Sequence, residues 1–153
     1  MTDEKRKQLI EQIKNFPERL EDTLREISIT QLDTPYGPGK WTIRQVVHHL
    51  ADSHLQGFAR VKWALTENDP QLKIYDQDEW AKLPDSAMPI DSSLAILKGL
   101  HQRWAALFES INGDAWKRPV QHPDPDYSNI EEILAAYAAH GEKHLGHISH
   151  VLK

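Results

Sequence analysis

The sequence predicts an all-α protein, a four-helix bundle with two long inter-helix loops. Three observations carry that reading. Four segments place apolar residues three or four apart, Pro-, Gly- and Asp-rich stretches separate them, and two separators exceed the roughly 2 to 8 residues of simple bundle turns. The 153 residues suffice for one domain with a real core and are too few for two, so residues 1–153 are expected to form one domain.

The first segment runs from Asp3 to about Ile27, with Leu9, Ile13, Phe16, Leu20, Leu24 and Ile27 on one face, and Pro17 is expected to kink or divide it. The second opens at Thr42, where "TIRQ" reads as a capping box with Gln45 at its third position, and continues to about Asn68. Its stripe is Ile43, Val46, Val47, Leu50, His54, Phe58, Val61 and Leu65. The third follows the start signal "DSS" at 91–93, carries Leu94, Leu97, Leu100, Trp104, Leu107 and Ile111, and ends at "NGD". The fourth begins at Ser128 or Asn129, with Glu131 three residues beyond Ser128, and runs almost to the last residue.

Between them, residues 69–90 and 113–127 form the long connections. The first contains "IYDQDEW", whose aromatic residues predict a lid packed on the bundle. "TPYGPGKW" and "QHPDPDY" are turn-forming linkers. The "GPGK" within the former lacks the glycine spacing and hydroxyl of a phosphate loop.

Composition narrows the functions. A net charge of -5 without a dense Lys/Arg block argues against nucleic acid as a partner, because that affinity comes from cations neutralising phosphates. No apolar run approaches the roughly 20 residues that span a bilayer, so no membrane partner is expected. The charged start "MTDEKRKQLIEQ" lacks the apolar centre of a signal peptide, and with zero cysteines this predicts a cytoplasmic protein. Without cysteine, disulfides, zinc ribbons and cysteine nucleophiles are excluded, and any thiol chemistry must use an exogenous thiol.

The nine histidines are the feature that points to chemistry, and "HGEKHLGHISH" holds four of them in eleven residues. Successive helix positions turn by about 100°, so His140, His144 and His147 share one flank, whereas His150 points away. Two imidazoles four residues apart can chelate one ion from adjacent turns, although polar helix flanks also accept histidine without any ligand. Zincin proteases use HxxxH with glutamate directly after the first histidine as general base. Gly141 holds that place here, which excludes the protease reading. A third ligand has to come from another helix, and "HHLADSH" offers His48, His49 and His54. Periodicity prefers His54, inside the apolar stripe, with His49 at its margin. His101 and His122 are isolated and read as structural or incidental.

Taken together, "GKWTIRQVVHHLADSH", "YDQDEW" and "HGEKHLGHI" resemble the DinB/YfiT-like metalloprotein family, most closely its YfiT branch of metal-dependent hydrolases. The resemblance covers nearly the whole chain and is clearest from Tyr36 onward. It implies a four-helix bundle of DinB/YfiT type, frequent homodimers, and the metal ligands His49, His140 and His144. Many relatives carry glutamine three residues after the last ligand, where this chain has His147, so a supporting or fourth-ligand role for His147 stays open.

Three neutral imidazoles leave a divalent ion at least one open position, the arrangement of a catalytic site. One divalent metal ion per chain is expected, zinc or nickel first, acting on a small-molecule substrate. Bound water activated by the ion would make the protein a metal-dependent hydrolase. An exogenous thiol bound there as thiolate, bacillithiol first, would make it a thiol S-transferase. A bundle that binds metal without catalysis is the third alternative. The proposed general base or orienting groups are Asp76 and His147, with Asp78 and Asp52 as further candidates. Trp41, Trp63, Trp80 and Trp104 either line a pocket or pack the core. Because protonated imidazole cannot coordinate, the site is expected to be acid-sensitive between pH 7 and about pH 5.

Overall fold

The computed structural model describes residues 1–124 and 126–153. Four long helices dominate: α1 (Asp3–Leu24), α3 (Ile43–Thr66), α5 (Asp91–Glu109) and α6 (Ile130–Leu152). Two short helices, α2 (Ile29–Leu32) and α4 (Gln77–Ala81), and 3₁₀ turns at Pro84–Ala87 and Gly113–Lys117 lie in the connections. No sheet forms among the described residues, only isolated bridges between loop residues.

Helices α1 and α3 each pack against both α5 and α6. The two chain-consecutive pairs α1/α3 and α5/α6 therefore stand across the bundle from one another. A short turn cannot join helices on a diagonal, which explains the length of the 110–129 connection. The two long loops meet: Leu72 N–H donates to the Gln121 carbonyl at 2.8 Å and Gln121 N–H to the Pro70 carbonyl at 2.9 Å. The aromatic loop packs as expected, with the Tyr75 and Trp80 rings 4.5 Å apart and Gln45 Nε2 donating to the Ala81 carbonyl at 3.0 Å.

Several boundaries differ from the sequence reading. Pro17 neither divides nor ends α1, which is continuous through it. That helix ends at Leu24, because Ser28 and Gln31 form a capping box that starts α2. The Thr42/Gln45 box starts α3 as predicted, and the helix stops at Thr66. "DSS" lies inside the first turn of α5, whose N-cap position, Ile90, has no side-chain cap; Ser93 instead contacts His48. Asn129, not Ser128, caps α6 by accepting from Glu132 N–H. Glu131 turns inward, where Arg6 Nη2 and Lys117 Nζ donate to it at 3.0 and 3.1 Å.

The apolar interior forms two clusters. One is built on Ile13, Phe58, Trp104, Phe108 and Tyr137, the other on Phe16, Leu20, Val47, Leu50 and Ile148. Between them lies a layer of imidazoles, with His54 edge-on to Trp104 and Tyr137 on one side and tilted against Phe16 on the other. Trp104 is fully buried and Trp116 nearly so, whereas Trp63 is exposed and serves neither role expected of it.

Candidate metal centre

His49 enters from the N-terminal half of α3 and His140 and His144 from adjacent turns of α6. Each offers one ring nitrogen, and the three lie within 4.8 Å of one another. His49 Nε2 faces His140 Nε2 at 3.1 Å. That spacing is close to the roughly 3.3 Å edge of a tetrahedron with metal–nitrogen bonds of about 2.0–2.1 Å. The set is all-nitrogen and oxygen-free, which suits zinc, nickel and other borderline divalent ions.

Burial keeps these ligands neutral. It pushes His49 down to about 3, aided by His140 and Lys143, His140 to about 4, and His144 to about 2. A ligand must be deprotonated to coordinate, so the same burial that opposes a charged imidazole favours metal binding.

The tautomer of His140 follows from a chain of hydrogen bonds that begins at a proline. Pro17 has no N–H to give the carbonyl of Ile13 four residues earlier, and His101 Nδ1 lies 2.6 Å from that oxygen. A carbonyl only accepts, so His101 Nδ1 carries the proton and its Nε2 a lone pair. His54 Nδ1, 2.7 Å away, must then donate to it, which leaves His54 Nε2 an acceptor. His140 Nδ1, 3.0 Å from that atom, donates in turn. Its Nε2 is therefore the nitrogen with the free lone pair, and this is the atom that faces His49. Metal-ligating imidazoles usually donate their other N–H to a fixed acceptor in this way.

The structure thus separates the histidines of "HHLADSH". His49 joins the ligand cluster. His54, favoured by periodicity, is wholly buried behind it and supports His140. His48 is a staple: its Nε2–H donates to the Met88 carbonyl at 2.9 Å and its Nδ1 accepts from Ser93 at 2.7 Å. His101 is buried and bonded at both nitrogens, which makes it structural rather than incidental. A histidine on α5 had no sequence signal linking it to α6; the link needs the bundle.

Around the cluster, Trp41 packs on the His49 ring with centroids 4.5 Å apart. His147 Nδ1 lies 3.3 Å from His144 Nδ1, and its ring stacks on Tyr36 at 4.0 Å. With Nδ1 engaged there, His144 has Nε2 for an ion. His150 is exposed. Glu142 pairs with Arg19 on α1, away from the ligands. The ligands open into a cavity of about 430 Å³ that Gln77 and Asp78 also line. Asp76 is exposed and caps α4, its carboxylate accepting from Glu79 N–H at 3.0 Å. Asp52 is half-buried, and burial together with Asp85 raises its carboxyl.

The model of the DinB superfamily matches residues 12–148. The chain belongs to the DinB superfamily. Within it the likeness is to the YfiT branch. YfiT from Bacillus subtilis, described as an unusual four-helix bundle and provisionally as a metal-dependent hydrolase, superposes with a TM-score of 0.95 at 38% identity, covering 99% of this chain and 87% of that one. A protein of Bacillus cereus (strain AH820), provisionally named a metal-dependent hydrolase, is 41% identical over 144 residues, 94% of this chain and 83% of its own. A relative with the same provisional name from Bacillus thuringiensis subsp. konkukian is 40% identical over the same span. The packing of α3 against α6 brings one candidate ligand on α3 beside two on α6. No helix among the described residues is long and apolar enough to cross a membrane.

Proposed function

We propose that the protein is a metal-dependent hydrolase of small molecules, with His49, His140 and His144 holding one divalent ion, zinc or nickel. The observation that supports it most is the cluster itself: three neutral imidazoles from two helices, His49 and His144 buried and His140 half-buried, open on one side to a cavity. A bound ion would supply Lewis acidity and an activated nucleophile at neutral pH. The chain's own residues do the rest. His54 and His101 hold the His140 lone pair on Nε2, Trp41 and Tyr36 shield the imidazoles, and His147 takes or gives a proton at the edge of the site.

Among the loop carboxylates, Asp78 lines the cavity and is the one we propose to face substrate, while Asp76 acts by capping α4 and so shaping the loop. One domain over residues 1–153, a homodimer and a cytoplasmic location complete the proposal; the first two rest on the family likeness and the last on the cysteine-free composition.

A second reading is favoured by one fact. The chain has no cysteine, so a thiolate at this site would have to come from a bound small thiol such as bacillithiol, giving a thiol S-transferase. The test offers the zinc- or nickel-loaded protein ester, amide and epoxide substrates with and without bacillithiol. Turnover without thiol is the expected result. Turnover only with bacillithiol would replace hydrolysis by thiol transfer, and turnover of nothing would leave a metal-binding bundle.

A further inference from the structure

A second cavity of about 550 Å³ adjoins the ligand cavity, sharing His140 and Gln77 with it. At its inner end lies Arg60 of α3, only 5% exposed. The guanidinium donates to Tyr127 Oη at 2.6 Å, Tyr137 Oη at 3.2 Å and the Lys73 carbonyl at 2.7 Å. All three acceptors are neutral, and no carboxylate lies within ion-pair distance of it among the described residues. A buried cation without a counter-charge is costly, because hydrogen bonds to neutral groups satisfy its donors but not its charge.

Its neighbours are donors as well. Tyr127 and Tyr137 accept from Arg60 and keep their own hydroxyl hydrogens. The Tyr75 hydroxyl is buried with the Ser53 side chain beside it but makes no hydrogen bond of ordinary length among the described residues, and neither does Arg60 Nε. Burial holds Tyr75 protonated by pushing it up to about 12, and it pushes Tyr127 up as well. A cavity wall that is cationic and rich in O–H and N–H groups is built to receive an acceptor. The acidic residues of this cavity, Asp124 and Asp126, are exposed at its rim, and Asp126 faces His122 at 4.0 Å.

We propose that Arg60 and Tyr75 anchor a carboxylate of the substrate, whose reacting group then lies toward His140 and the metal ligands. Tyr137 spans the two ends: its hydroxyl touches Arg60 and its ring centre is 6.2 Å from that of His140. The planar, singly charged carboxylate matches one guanidinium, with a phenol to complete its hydrogen bonds. The assignment of the other end rests on the hydrolase reading above, but the anchor is chemically independent of it.

The experiment therefore uses binding. Butyrate, its neutral methyl ester and inorganic phosphate are titrated into metal-free and zinc-loaded protein, followed by the NMR signals of Arg60 Nε–H and the tyrosine rings. Butyrate should bind saturably in both forms and at least tenfold more tightly than the ester or phosphate. Arg60→Gln should lose that binding tenfold or more, Arg60→Lys, which keeps the charge but not the planar fork, should lose several-fold, and Tyr75→Phe should weaken it several-fold while folding normally. Equal binding of butyrate and ester, preference for phosphate, or undiminished binding in Tyr75→Phe and Arg60→Gln would each overturn the anchor. Should Arg60→Gln not fold, Arg60→Lys and Tyr75→Phe still decide. Butyrate binding by a protein that hydrolyses nothing would retain the anchor and remove only the hydrolase reading.

Discussion

A neutral histidine has a lone pair on only one ring nitrogen, so the position of its proton decides whether His140 can be a ligand. Here that position is set three residues away in the chain of bonds, by the Ile13 carbonyl. His101→Phe should break the chain: His54 Nδ1–H loses its acceptor, His54 can flip its tautomer, and His140 is no longer held with Nε2 free. Loss of a supporting partner of this kind costs about 10–100-fold in metal affinity. His101→Gln, whose amide offers a donor and an acceptor like the ring, should recover much of it. Chelator competition measures both, and nitrogen NMR of His140 reads the tautomer directly. Unchanged affinity and tautomer in His101→Phe would make the chain structural only.

The same residues set the pH response. Unfolded histidine takes up a proton near about 6.5, whereas buried His101 does so only at about 4. Below pH 6.5 the unfolded chain gains protons that the folded one refuses, so this contribution is full above 6.5 and is lost as pH falls toward 4. The Tm of metal-free protein should fall between pH 7 and 5; a flat profile would show that the layer is not held neutral. Metal occupancy should outlast pH 5, lower than the sequence alone implied, because burial has already weakened the proton as a competitor.

For the elements, close helix approach is the controlling fact. A Cβ on Gly141 would stand 2.9 Å from the Phe16 ring, so α6 and α1 meet there without room for a side chain. Phe16 in turn packs against His54 and His101, with centroids 5.4 and 5.2 Å away. Gly141→Ala should destabilise by about 1–3 kcal/mol through overpacking, less roughly 1 kcal/mol of gained helix propensity, as a shift in denaturant midpoint. A midpoint at or above that of the unchanged protein would contradict the contact. In sequence, Gly141 was legible as the missing base of a protease, and its role as a contact surface was not. The four long helices and the Thr42/Gln45 cap were legible because periodicity and capping are local. Pro17 was expected to kink or divide the helix and does not divide it; the carbonyl it leaves without an N–H is met from outside the helix, by a ring on α5.

Across the whole molecule, the ligand set combines distant parts of the chain through topology. His140 and His144 were visible as a pair four residues apart, while the partner on α3 stayed ambiguous, since a helix wheel ranks His54 above His49 and cannot show which faces α6. The family likeness pointed to His49, and the packed bundle brings a nitrogen of its ring within 4.8 Å of those of His140 and His144. The His54–His101 layer and the Arg60 cavity lie between elements whose neighbours no local pattern reveals. What the molecule as a whole claims is one ion on three histidines. Elemental analysis of protein purified without added metal tests it most directly: about one zinc or nickel per chain, falling to a small fraction in His144→Ala with the fold intact by circular dichroism. Full retention of metal in His144→Ala would contradict the account.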